Sequence, residues 1–330
     1  MEIIPLDTKL ESNIRAFLAN SLVNPFAGYG VSQEIYCNYI TSELFKVVSE
    51  GGFVLVAKES KEVIGLISLI HSEWDSTHFD IEISKIGHLF GSGTYLDCTY
   101  IKNRLISSLL VKCSKELLLN LSARVNKEDL SSCHALENNQ FKLMDVLVTY
   151  SIDLRKKPQI PTNSQYKIRK YRPDEIPQLK RIAIECFEDN ALATDRFHAD
   201  PTLPKAKSSE LYAKWLFNSS QDPFSEILVA EIDGAPIGFN VCTINQSLTN
   251  GIGLRVGTMA LTAVDCSARN KLVATSLLNA SLAWFSDKVD IVETGGQVSN
   301  FAIQRAWNSV GLKITRSQCT FHWSVLTESL

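Results

Sequence analysis

The sequence predicts an α+β protein made of two tandem copies of one α/β/α mixed-sheet unit, and three observations carry that expectation. At 330 residues the chain is about twice the size of a common domain. A pair of short apolar strands joined by a polar turn occurs once in each half, in matching register. Stretches with strand character then alternate with helical ones through both halves, the pattern of a sheet covered by helices.

The repeat is explicit in the residues. Val54-Leu55-Val56-Ala57 precedes a polar turn and Ile64-Gly65-Leu66-Ile67, while Ile227-Leu228-Val229-Ala230 precedes Asp233-Gly234 and Ile237-Gly238-Phe239. Both read as β-hairpins. The ends of the halves correspond as well: Ala135 is followed by Phe141-Lys142-Leu143 and Thr149-Tyr150, and Ala306 by Leu312-Lys313-Ile314 and Thr320-Phe321. The offset is 173 residues at one end and 171 at the other, so register is kept across the whole span. Residues 1–154 and 166–330 are therefore expected as two domains. Residues 155–165, with Pro158 and Pro161, form an extended connector.

In the second half a strand is expected at 166–169 and a helix at 176–187, whose apolar positions 176, 179, 182, 183 and 186 share one face. A shorter helical stretch covers 211–217, and strands cover 227–232, 237–244 and 256–264. A long helix follows at 273–285, then a strand at 291–298. The last helix, 301–310, has Ser299 or Asn300 to cap its start and Gly311 to end it.

Composition narrows the function classes. Apolar residues are 45% and charged residues 21%, with a formal charge of -3 and no Lys/Arg runs, which argues against a nucleic-acid binder. No apolar run reaches the roughly 18 residues that span a bilayer, so no membrane role is expected. The start lacks a basic stretch leading into an apolar one, and the eight cysteines are scattered without a CxxC pair. Reduced thiols, a cytoplasmic location and no metal site follow as expectations.

The junction Asp265-Cys266-Ser267-Ala268-Arg269-Asn270-Lys271-Leu272-Val273-Ala274 links the strand at 256–264 to a helix. Such a junction presents free backbone N–H groups and a positive helix end to an anion, and Arg269 and Lys271 add charge. A capped helix with two solvated bases gives the same pattern. The second half resembles the GNAT acetyltransferases, in which this junction carries Arg/Gln-x-x-Gly-x-Gly/Ala and binds the pyrophosphate of acetyl-CoA. Arg269 and Ala274 match; Leu272 stands where the middle glycine is expected, and Asn270 at another position that is often glycine.

The segment from Gln297 to Leu312 resembles the same family more fully. There an Asn, here Asn300, contacts the pantetheine arm, and an aromatic seven residues later is often a Tyr that protonates the leaving thiolate. Here it is Trp307, whose indole is no acid near neutral pH; it either lies along the pantetheine or fills the core. The resemblance implies a direct N-acetyltransferase using acetyl-CoA, bound by Leu261, Thr262, Ala263, Arg269, Asn270, Lys271, Leu272, Val273, Ala274, Asn300 and Trp307. Glu293 is the candidate base, and a solvated strand carboxylate is its alternative. The first half has Phe90-Gly91-Ser92-Gly93-Thr94 near its corresponding loop and no phosphate-binding pattern, so a structural or pocket-shaping role is expected of it.

Two patches point to the acceptor. Arg196-Phe197-His198-Ala199-Asp200-Pro201 with Leu211-Tyr212-Ala213-Lys214-Trp215, and Trp74-Asp75-Ser76-Thr77-His78-Phe79-Asp80, resemble stretches of dTDP-fucosamine acetyltransferases. Those enzymes acetylate the 4-amine of a dTDP-linked 4-amino-4,6-dideoxyhexose. The resemblance implies a small-molecule amine as partner, with His198, Asp200 and Trp74 as substrate residues; His322, near the C-terminal strand, is a weaker candidate than Glu293 for the base. An Asx turn before Pro201 and core packing of Trp74 are the alternatives. Other amines (an aminoglycoside, an amino acid, a peptide N-terminus), a non-catalytic binding module, and assembly as a homodimer are left open.

Overall fold

A computed structural model describes residues 1–115, 120–161, 164–188 and 194–324; Thr162 and Asn163 of the expected connector lie outside the described residues. The chain folds as two compact units. Among the described residues, the first comprises those within Met1–Val146, Asp200–Thr202 and 318–324, and the second those within Leu147–Ala199 and Leu203–Ser317. The units thus do not part at one point in the chain, unlike the expected segments 1–154 and 166–330.

The first unit runs β1 (Glu2–Pro5), α1 (Glu11–Ser21), α2 (Gln33–Ser49), β2 (Phe53–Glu59), β3 (Glu62–His71), α3 (Glu73–Phe79), β4 (Ile83–Gly91), α4 (Tyr95–Lys115), β5 (Asn120–Asn126) and α5 (Leu130–Asn138). Then β6 (Lys142–Asp153) leads into the second unit, which continues β7 (Lys167–Lys170), α6 (Ile176–Glu188), α7 (Arg196–Ala199) and α8 (Lys205–Gln221). It proceeds through β8 (Ser225–Ile232), β9 (Ala235–Asn245), α9 (Gln246–Ile252), β10 (Val256–Val264), α10 (Val273–Phe285), β11 (Ile291–Gln297) and α11 (Phe301–Ser309) to β12 (Lys313–Ser324). Helix α8 is longer than the stretch expected at 211–217, because its first turn, Lys205-Ala206-Lys207-Ser208, carries no apolar periodicity.

Each unit has the same sheet. In the first, β1, β2, β3 and β4 pair antiparallel in sequence order and β4 pairs parallel with β5, which pairs antiparallel with Gln318–Ser324 of β12. In the second, β7, β8, β9 and β10 pair antiparallel and β10 pairs parallel with β11, which pairs antiparallel with Leu147–Asp153 of β6. Each sheet is completed by a strand from the other half of the sequence. Ile3, Leu69, Leu89 and Phe321 meet Leu105 and Leu109 of α4 on one face of the first sheet, and Val56 and Leu66 meet Ile14 and Leu44 on the other. In the second unit Met259, Val292 and Cys242 pack under Leu277, Leu278 and Phe285 of α10 and Trp307 of α11.

Candidate active site

The two parallel strands of the second unit separate before they end. Pairing of β10 with β11 runs from Val256↔Ile291 only to Met259↔Thr294, although β10 continues to Val264 and β11 to Gln297. On its other side β10 stays paired with β9 through Val264, with a register shift between Met259 and Leu261. The odd residue is Ala260. A regular strand would put 259, 261 and 263 on one face. Instead Met259 shares the α10 core with Val264, while Thr262 bonds to Asn240 and through it to Ser281 of α10 (each 2.6 Å). The bulge has switched the faces. At the fork, the Thr294 hydroxyl donates to the Met259 carbonyl at 2.9 Å and fixes where the strands part. Beyond it, the β10 edge at 260–264 presents backbone donors and acceptors that no described strand pairs. Leu261 and Ala263 are buried and Thr262 is half-buried, so what they can offer a ligand is main chain.

The junction into α10 lies at the same end. Asp265 accepts from the backbone N–H of Ser267, Lys271 donates to the Ser267 carbonyl at 2.9 Å, and the Lys271 carbonyl receives Gln165 (2.8 Å) and the Tyr166 hydroxyl (2.7 Å). Asn270 and Leu272 have φ of 62° and 60°. These are left-handed positions that glycine adopts freely, at the two places where the sequence departs from glycine. The junction therefore has left-handed backbone at the two positions where the resemblance expects glycine. Ser276 N–H is bonded to the Leu272 carbonyl at 3.0 Å, and the N–H groups of Val273, Ala274 and Thr275 precede it in the first turn of the helix, whose N–H groups lack intrahelical acceptors. Arg269 is exposed and has no ion-pair partner among the described residues. These features fit a pyrophosphate.

Leu272 is also 67% exposed, so little packing offsets its backbone conformation. The left-handed region costs an L-residue about 1–2 kcal/mol, and glycine returns about 0.5–1 kcal/mol of that as chain entropy. Leu272→Gly should therefore leave stability unchanged or raise it by up to about 1 kcal/mol in urea unfolding; a loss larger than that would show the leucine side chain to be structural.

Glu293 stands one residue before the fork, paired in register with Thr258, on the face opposite Val292 and Thr294. Its side chain is 13% exposed, so the solvated alternative is not what the fold presents. Burial raises its pKa, and Arg316, at 3.6 Å, opposes that shift only in part. A carboxylate so placed is a stronger base than an exposed glutamate. Arg316 comes from β12, and no spacing in the sequence signals the pair.

Asn300 caps α11: its side-chain oxygen accepts from the backbone N–H of Ile303 at 3.4 Å, which leaves the amide NH2 free to donate. Trp307 is 3% exposed, with its ring 5.1 Å from that of Tyr150 and its edge 3.0 Å from where a side chain on Gly296 would begin. Of its two expected roles, Trp307 takes core packing, and Gly296 makes room for it.

The acceptor candidates divide. His198 donates or accepts at both nitrogens, with Asp195 at 2.7 Å and Ser209 at 3.2 Å, and belongs to the second unit. Burial raises the Asp195 pKa, but hydrogen bonds from His198 and Tyr212 outweigh it and hold the carboxyl low. Asp200 belongs to the first unit, where it takes His322 Nδ1 at 2.7 Å, Asn120 at 3.3 Å, and the N–H and hydroxyl of Thr202 at 2.9 and 2.6 Å. It is an Asx turn locked onto a buried histidine. Trp74, in α3 of the first unit, is 40% exposed and stacks on His78 at 5.8 Å. His198 and Asp200, neighbours in sequence, thus serve separate clusters, and Asp195 is the partner that the sequence reading missed.

Residues 177–311 match the family described as the acetyltransferase (GNAT) family, and this matched segment carries the fork, the junction and Glu293. The whole chain has the tandem GNAT fold. A tandem GNAT protein from the clavulanic acid biosynthesis pathway superposes with a TM-score of 0.58 at 14% identity, over 98% of both chains. A GCN5-related N-acetyltransferase from Sphaerobacter thermophilus gives 0.61 at 12% identity, over 98% of this chain and 95% of that one. A GCN5-related glucosamine N-acetyltransferase region of a fungal multi-domain GH3 β-N-acetylglucosaminidase gives 0.62 at 12%, over 98% of this chain and 38% of that one. Comparison with curated protein sequences gives no match. Among the described residues no helix is long and apolar enough to cross a membrane, and no group of three or more His, Cys, Asp or Glu could hold a metal.

Proposed function

We propose that the second unit transfers an acetyl group from acetyl-CoA directly to a primary amine, and that the acceptor is an amino sugar, free or nucleotide-linked. The observation that carries this reading is the fork: β10 and β11 part at Met259↔Thr294, and the open β10 edge leads to the start of α10, where Asn270 and Leu272 are left-handed. Arg269 and the N–H groups at 273–275 would hold the diphosphate. The main chain at 260–264 would pair with the amides of the arm, and the Asn300 NH2 would donate to it. Acetyl-CoA supplies the activated acetyl group that ends on the amine nitrogen, leaving CoA as the free thiol. Glu293 accepts the proton that the substrate ammonium must lose, and solvent protonates the departing thiolate, because Trp307 carries no acid. The amino-sugar acceptor rests on the sequence patches at 74–80 and 196–215 and on the glucosamine N-acetyltransferase region among the structural neighbours.

Acetyl-CoA at 100 times its Kd should stabilise the protein by about 2.7 kcal/mol, seen as a rise in unfolding temperature. A thiol-release screen over nucleotide-linked amino sugars, free amino sugars, aminoglycosides and peptides then selects the acceptor. No thermal shift with acetyl-CoA or longer acyl-CoA would leave a binding module in place of the enzyme, and turnover confined to peptides or aminoglycosides would replace the amino-sugar acceptor.

A further inference from the structure

The first unit repeats the fork but not what surrounds it. Pairing of β4 with β5 ends at Ile86↔Ala123, though β4 runs on to Gly91 and β5 to Asn126, and the register against β3 shifts between Ser68 and Leu69. Bulge and fork are thus both conserved between the units. Gly65 pairs with Gly91 as Gly238 pairs with Val264, and the next N–H returns to the preceding hairpin in both, Ser92 to Ile64 and Asp265 to Ile237. From there the units diverge. Gly91 lies three positions before Thr94, whose carbonyl takes the first helical bond of α4; Val264 lies eight before Leu272, which does the same for α10. The loop that would wrap a pyrophosphate has been cut by five residues.

Side chains fill what the shorter loop leaves. Asp97 folds back onto the start of α4 and accepts the Thr94 N–H at 2.9 Å and the Thr94 hydroxyl at 2.7 Å, a carboxylate where a phosphate would need a donor. Lys102, 3% exposed, passes the last residue of β4, with Cε 3.5 Å from where a side chain on Gly91 would begin. Its ammonium reaches both oxygens of Asp129 and the hydroxyl of Ser131, each at 2.8 Å. Asp129 caps α5 as Asn300 caps α11, 171 residues later, and Lys102 aligns with Ala280 of α10. The ion pair therefore runs from α4 across the open end of β4 to the start of the helix that follows β5, spanning the fork.

We propose that Lys102, Asp129 and Asp97 are an internal plug that permanently occupies the coenzyme cleft of the first unit, so that the chain takes one acyl-CoA and not two. The inference rests on the acyl-CoA reading of the second unit. A buried ammonium clamped by a carboxylate holds α4 and α5 together from within, the cross-link that a bound arm would otherwise supply.

Native mass spectrometry with acetyl-CoA should find one coenzyme per chain, with hydrogen exchange slowed at 265–276 and 294–300 and unchanged at 92–102 and 126–131. Ala274→Glu, which sets a carboxylate at the α10 start without harming the helix, should abolish all binding. Two coenzymes per chain, one remaining in Ala274→Glu, or protection at 92–102 would overturn the plug. Zero bound coenzyme in the wild type would sink the acyl-transfer reading alone and uphold a closed first unit. Lys102→Ala should lower the unfolding temperature without altering acetyl-CoA affinity; an unchanged unfolding temperature would show that the pair holds nothing together.

Discussion

Replacing Glu293 by Gln is expected to lower kcat/KM by about 100- to 10,000-fold with little change in the affinity for acetyl-CoA, because one positioned base supplies about that much. The substitution keeps the shape and the half-buried position of the side chain and removes only the ability to accept a proton. The pH profile is the sharper readout. In the proposed role Glu293 works ionised, so activity in the wild type should fall as pH drops through its pKa, which burial sets above the ordinary glutamate value and Arg316 holds back. Arg316→Gln removes the opposing charge, raises that pKa further and should move the acid limb to higher pH. In Glu293→Gln this limb should vanish. An acid limb that ignores both substitutions would remove Glu293 from the proton path and return it to a structural role.

The second large effect concerns stability. Asp200→Ala should destabilise the first unit by about 3 kcal/mol or more, since it strips a buried histidine of its partner together with three further hydrogen bonds. Burial pushes the Asp200 pKa up, but His322 and Thr202 outweigh it and hold it at about 2, against 3.8 when unfolded. The sign follows from proton uptake: between these values the unfolded chain binds more protons than the folded one. The contribution is thus whole above about pH 4 and is lost as pH falls toward 2. Urea unfolding of wild type and variant across that window should show the difference between them shrinking with acid; a constant difference would mean that the carboxylate charge is not what matters.

The fold was legible where local chemistry decides it. Strand 256–264 and helix 273–285 occupy the expected residues, because alternation and helical spacing are written along the chain itself. The strand-to-helix junction on which the proposed site rests was legible as a place in the chain, and Asn300 as a helix cap. What could not be read was every feature that depends on a distant partner. Arg316 beside Glu293, Asp195 in place of Asp200 as the companion of His198, and the bond from Thr294 to Met259 join residues whose spacing carries no period. Leu272 shows the reverse case. Its residue type argued against a phosphate loop, yet the backbone holds it in the left-handed conformation a glycine would take. Chain connectivity and neighbouring bonds fix that dihedral, and the side chain accommodates it.

The completion of the first sheet by Gln318–Ser324 sets an order on biosynthesis. Those residues leave the ribosome only after the whole of 203–317 has been made, and synthesis runs at about 5–20 residues per second. For at least several seconds the nascent first unit therefore carries β5 with one edge bare, Leu121 and Ala123 uncovered by the strand that later pairs with them. A bare edge is a template for stray pairing. The protein is then most vulnerable while it is being made, and slowing or truncating translation beyond Ser317 should cost it more solubility than a substitution of similar size in the finished core.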